Sequence, residues 1–202
     1  MLDNLDPDVR TSLIGFISGL LGTLVIFIKK ILDKVADKLF EPKDKIIETL
    51  NVGKLVKDSL HNLRNQWEAD RAIVIQFHNG GHFFIGGSMQ KFSVTYEDIS
   101  PGIAPLYKVL QNIPLTNAMW ITDMVQGNCI ISNSEKVSDV ISKTFLDEFG
   151  IRCVLGAPLK YNDKVIGVLM LHFTEKPCHF KEDAASKLLD QCKNIPPLLV
   201  KA

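Results

Sequence analysis

Apolar residues dominate the stretch from Thr11 to Ile28, TSLIGFISGLLGTLVIFI, which carries no charge. At about 1.5 Å per residue its eighteen residues span roughly 27 Å as a helix, close to the hydrocarbon thickness of a bilayer. The pattern therefore predicts a transmembrane helix over 11–30, closed by Lys29 and Lys30 at the membrane interface. The acidic leader over 1–10 and the absence of a small-residue cleavage site argue against a cleaved signal peptide. Gly15, Ser18, Gly19 and Gly22 lie at four-residue spacings, a face on which membrane helices approach closely.

Beyond the anchor the period stays helical. Ile31, Leu32, Val35 and Leu39 recur among lysines and aspartates up to Pro42, and a second stripe runs from Ile46 to Trp67. Residues 31–66 therefore read as membrane-proximal amphipathic helices. The period then changes. Arg71–His78, Lys91–Tyr96, Arg152–Pro158 and Lys164–Phe173 are strand-like, and Tyr161-Asn162-Asp163 is a hairpin turn. Pro105–Asn112, Ser138–Phe149 and Glu182–Cys192 read as helices, and Ser132-Asn133-Ser134 as a polar turn. The expected fold class is α+β: an N-terminal transmembrane helix followed by an antiparallel sheet with flanking helices, the globular domain filling 67–202 and its first helix starting near 45.

Composition narrows the function classes. The chain has 202 residues, 23 basic and 23 acidic, so no basic excess points to nucleic acid. Cys129, Cys153, Cys178 and Cys192 are scattered without CxxC spacing, which argues against zinc. His78-Asn79-Gly80-Gly81-His82 is the sharpest polar cluster. It follows a strand and straddles a turn, and no Cys or Glu nearby completes a metal set. Its plain reading is a structural turn, and its functional one a small-ligand contact. Lys91, Ser93, Tyr96 and Glu97 are either an outward strand face or polar groups of a pocket. Asp123 and Glu148 stand apart from any base and nucleophile. With no P-loop, GxSxG or HExxH, no enzyme activity, metal or cofactor is expected.

Two family resemblances follow from particular residues. VLGAPLKYNDKVIGVLMLHF, then HFKEDAASKLLDQC, resembles the end of GAF-like sensor domains, and WEADRAIVIQFHNG resembles their front half. The likeness covers about Lys45 to Pro197 and implies a GAF-like domain. In such a domain His78, Asn79, His82, Lys91 and Tyr96 are candidate ligand or partner contacts.

The layout also resembles the T-even-type phage holins. That likeness runs through Glu68-Ala69-Asp70, Pro114-Leu115, Met119, Gly127-Asn128, Ile131–Ser134, Cys153–Pro158, Asp163, Gly167, Met170, His179 and Asp183. It implies a single-pass protein of the host inner membrane that oligomerises to permeabilise the bilayer for timed lysis. Its partners would be lipid, further copies of itself and an antiholin-type regulator. Its domain would be periplasmic, and there Cys153 and Cys192 are expected to pair. One Arg before the anchor and six lysines after it favour the opposite orientation, with the domain in the cytoplasm. The alternative is a membrane-anchored cytosolic GAF-like sensor of a small ligand or a protein partner.

Overall fold

The computed structural model describes residues 7–39, 43–82, 88–175, 179–181 and 183–201. The chain divides into two compact units, 1–47 and 48–202. The first holds helix α1, Pro7–Leu39. Among the described residues no helix is long and apolar enough to cross a membrane, which overturns the expected transmembrane helix and the inner-membrane location. α1 is a single helix of 33 residues that continues without a break through the charged positions Lys29, Lys30, Asp33 and Lys34. Lys29 and Lys30 are exposed positions on α1. A Cβ added at Gly15, Gly19 or Gly22 meets no atom within 4 Å. The side chain of Ser18, the fourth residue of the expected packing face, lies outside the described residues, as do residues 1–6 of the tail.

The second unit is organised by a six-stranded antiparallel sheet in the order β3-β2-β1-β6-β5-β4. Its strands are β1 Arg71–His82, β2 Ser88–Ile99, β3 Ile113–Pro114, β4 Ile130–Asn133, β5 Cys153–Tyr161 and β6 Lys164–Phe173. The helices are α2 Lys43–Gln66, α3 Thr122–Val125, α4 Val140–Glu148, α5 Ala184–Gln191 and α6 Ile195–Leu199. β6 coincides with the expected strand. Its hairpin to β5 turns at Asn162 and Asp163, both at positive φ (48° and 61°), the conformation a two-residue hairpin requires. Ser132 and Asn133 end the edge strand β4 rather than forming a turn, because they pair with Val154 and Cys153. Pro105–Asn112 is not a helix. It folds as a hydrogen-bonded turn in which Leu106 O accepts from the amides of Val109 and Leu110.

Strand residues alternate between two apolar layers. Ala72 and Val74 of β1, Leu155 and Ala157 of β5, and Leu169 and Leu171 of β6 meet α2, α5 and α6. α2 contributes Val56, Leu60 and Leu63. Arg64 fastens its end to Asp98 near the end of β2 and to Ser100 just beyond it. The Trp67 indole N–H donates to Gln191 Oε1 at 2.7 Å, which ties α2 to α5. On the opposite face Ile73, Ile75, Val94, Val154, Val168 and Met170 meet short segments carrying Leu106, Leu110, Ile121, Met124 and Leu146. Met124 lies flat on the sheet over Gly156, where a Cβ would come within 2.5 Å of its sulfur.

Candidate functional site

The second face is not filled. A cavity of about 500 Å³ opens between the sheet and the segments that cross it. That volume lies within the usual range for small-molecule pockets, about 300–1,000 Å³. Val154 and Met170 form its floor. Met119 and Trp120 come from the turn before α3, Asp123 from α3 itself, Cys129 from the residue before β4, and Ile130 to Ser132 from β4. Lys136 to Asp139, Ser142, Phe145 and Leu146 close it from α4 and the loop before it. The Trp120 and Phe145 rings are parallel, 3° apart in plane, with centroids 6.1 Å apart. Phe92 meets the Trp120 ring edge-on from the sheet.

The local sequence explains the wall. Asp139 is the N-cap of α4: its carboxylate accepts from the Ser142 amide at 2.8 Å and from the Ser142 hydroxyl. These bonds hold the Asp139 carboxyl below the usual carboxylate range. The cap sets the start of α4, and with it the direction in which Phe145 and Leu146 face. Cys129 donates its thiol to Ala185 O at 3.5 Å, and burial raises its pKa against the pull of Lys160. Among the described residues the Asp123 carboxylate has no hydrogen bond or ion pair.

On the same face, at the far end of the strands, lies a buried polar network. Arg71, 1% exposed, reaches Glu97 Oε1 at 3.3 Å, His172 Nδ1 at 3.1 Å and Ala104 O at 2.6 Å. Glu97 in turn accepts from the amides of Leu106 and Tyr107 and fastens the 105–112 turn to the sheet. Burial works against the Arg71 charge, and Glu97 and Asp70 oppose that effect. Burial, then the Arg71 charge, lowers the His172 pKa to about 3. The ring is therefore neutral, and since Nδ1 faces a donor, its proton resides on Nε2. This network builds the fold, and no residue of it lines the cavity.

The residues singled out from sequence lie elsewhere. Tyr96 sits with the α2-side layer, against Gly53, on the other face of the sheet. His78 Nε2 is 2.9 Å from Ser93 Oγ, which also accepts from the Asn112 amide. Asn79 Oδ1 accepts from the Gly81 amide, an Asx turn. Lys91 lies over Gly80, where a Cβ would clash with its stem. The His82 side chain lies outside the described residues. None of His78, Asn79, Lys91 or Tyr96 lines the cavity. The expected Cys153–Cys192 pair does not form, because Cys192 carries a free thiol. That thiol donates to Leu189 O, and burial, then the neighbouring Cys129, pushes its pKa up to about 12. Sequence reasoning missed Trp120, Phe145 and Val137 as pocket walls. The available signals were Asp139-x-x-Ser142 as a helix start and Met119-Trp120 as large apolar residues in a polar loop.

An antiparallel sheet with helices on one face and a cavity under short segments on the other defines the architectural class, an α+β domain of the GAF-like type. The GAF domain model matches residues 51–192, and the chain belongs to the GAF domain family. This match overturns the expected membership of the T-even-type holins and, with it, the lysis role. Comparison with curated proteins finds no match. Among solved structures, the blue-light absorbing form of the Thermosynechococcus elongatus PixJ GAF domain is 17% identical. It superposes with a TM-score of 0.61 over 76% of this chain and 86% of its own. The phycocyanobilin-bound GAF domain of a cyanobacterial phytochrome is 15% identical, with a TM-score of 0.57 over 78% of this chain and 88% of its own. A far-red absorbing dark state with bound biliverdin is 11% identical, with a TM-score of 0.57 over 77% and 97%. At these identities the likeness establishes the fold.

Proposed function

We propose that this chain is a ligand-binding sensor module without catalytic activity, and that a small molecule occupies the cavity between the sheet and α4. The observation that carries this reading is the cavity itself. It is large enough for a ligand, mostly apolar, and walled by short elements that a bound molecule can brace. The polar groups around it fit binding better than catalysis. Asp139 is engaged as a helix cap, and burial favours the protonated Cys129 thiol. The bilin ligands of the structural neighbours support the idea of a ligand in this fold, not its identity here.

The test is a titration with a neutral apolar dye such as Nile red. Saturable one-to-one binding that quenches Trp120 emission supports the reading. The Val137→Trp variant, which fills the cavity from its loop side, should lose that binding while keeping its circular dichroism. Binding that survives in the filled variant would locate the dye elsewhere and sink the proposal.

A further inference from the structure

The neighbours' chromophores pose a fit problem. A bilin is an open-chain tetrapyrrole that carries two carboxylates, so its pocket needs cationic partners. Lys136 is the only cation among the residues lining this cavity, and it stands exposed at the rim. No arginine or histidine lines it. Two carboxylates do, Asp123 and Asp139, so the lining carries one positive charge against two negative ones.

A helix N-terminus facing a pocket ordinarily welcomes an anion. Here α4 starts at the cavity, but its first free amides are already served by the Asp139 carboxylate. An anionic ligand group would therefore meet a like charge where it would otherwise find donors. The cavity does not fit a bilin.

What it does offer is an aromatic and apolar wall with two carboxylates among its lining residues. Trp120 and Phe145 present parallel rings, Met119 and Met170 add polarisable sulfur, and Asp123 has no partner among the described residues. Indole and phenyl faces attract cations, most strongly when both are withdrawn from water. We infer that the cavity selects a flat aromatic cation, its ring system against Trp120 and Phe145 and its positive group toward Asp123 and Asp139. This inference rests on the cavity being a ligand site.

Calorimetric titration of the full chain with three tricycles of one shape separates the two claims: aminoacridinium, neutral anthracenemethanol and anthracenecarboxylate. The cation should bind at least about tenfold more tightly than the anion, a difference of about 1.4 kcal/mol. In the Asp123→Asn, Asp139→Asn double variant the ratio should fall to within about threefold; asparagine still caps a helix, so α4 keeps its start. Biliverdin should not be retained through gel filtration. Equal or tighter binding of the anion, an unchanged ratio in the double variant, or retained biliverdin would each overturn the inference. If the neutral tricycle binds while the cation gains nothing over the anion, the charge preference fails and the ligand site stands. If none of the three binds, the ligand site fails and takes the preference with it.

Discussion

The two faces of the sheet are built from alternate residues of the same strands, yet one is packed by helices and the other holds a cavity. α2 lays Val52, Val56, Leu60 and Leu63 on the first face at regular helical spacing, and α5 and α6 complete the layer. The second face is crossed by single helical turns, a four-residue α3 and a nine-residue α4. None of these carries an apolar stripe long enough to tile the strands, so a gap remains over Val154 and Met170. Element length, rather than residue polarity, therefore decides where this fold can take a guest.

The largest expected effect tests that division directly. Leu60 of α2 is fully buried in the α2-side layer, and Leu60→Ala should cost about 2–5 kcal/mol of stability in urea denaturation. Phe145→Ala removes a larger ring, but from a wall that already borders empty space and is only half-buried, so its cost should be smaller. A Phe145→Ala loss equal to that of Leu60→Ala would mean the second face is as tightly packed as the first.

A second effect of comparable kind concerns the polar end of the cavity face. The folded His172 pKa is about 3, against 6.5 for the free side chain. Between those values the unfolded chain binds the proton that the folded one refuses, so stability falls as pH falls. The group contributes its full stabilisation above about pH 6.5 and loses about 1.4 kcal/mol per unit as pH drops through the window toward 3. His172→Gln keeps an acceptor for Arg71 and should flatten that slope, measured as urea midpoints from pH 7 to 4. An unaltered slope would place the acid sensitivity in other groups.

Smaller still is the cap. Asp139→Ala should cost about 1 kcal/mol, read as a shift in urea midpoint, and Asp139→Asn close to nothing. If both variants behaved alike, the carboxylate would not be holding the start of α4.

What the sequence disclosed follows the same division. Lys164–Phe173 and the Asn162-Asp163 turn were legible because a long apolar strand and a positive-φ dipeptide are local signals. The α2 stripe was legible for the same reason. Thr11–Ile28 misled because it was weighed by itself, whereas α1 runs on from it through Lys29, Lys30, Asp33 and Lys34 as one 33-residue helix. The cavity was illegible because no single segment builds it. Trp120, Asp139, Phe145 and Met170 converge only once β4 has paired with β5 and α4 has crossed the sheet. Tyr96 and His78 attracted notice as polar residues on strands, yet both lie on the other side: His78 by strand parity, and Tyr96 because the β1–β2 register shifts between Val74 and Ile75 and turns it away from cavity-side Val94.

That parity makes the last and smallest prediction the most direct check of the comparison. Val74 faces Tyr96 across the β1–β2 pairing and belongs to the α2-side layer, whereas Ile73 and Ile75 belong to the cavity side. A substitution at Tyr96 therefore acts through the wrong face to touch a guest, and Lys91 is occupied over Gly80. Tyr96→Phe and Lys91→Met should leave the affinity for neutral anthracenemethanol within about twofold of the parent, less than about half a kcal/mol. Trp120→Ala in the same assay should abolish measurable binding, because it removes one of the two parallel rings. A loss at Tyr96 as large as that at Trp120 would show that the sheet transmits between its faces, and the separation of a packed side from a binding side would no longer describe this domain.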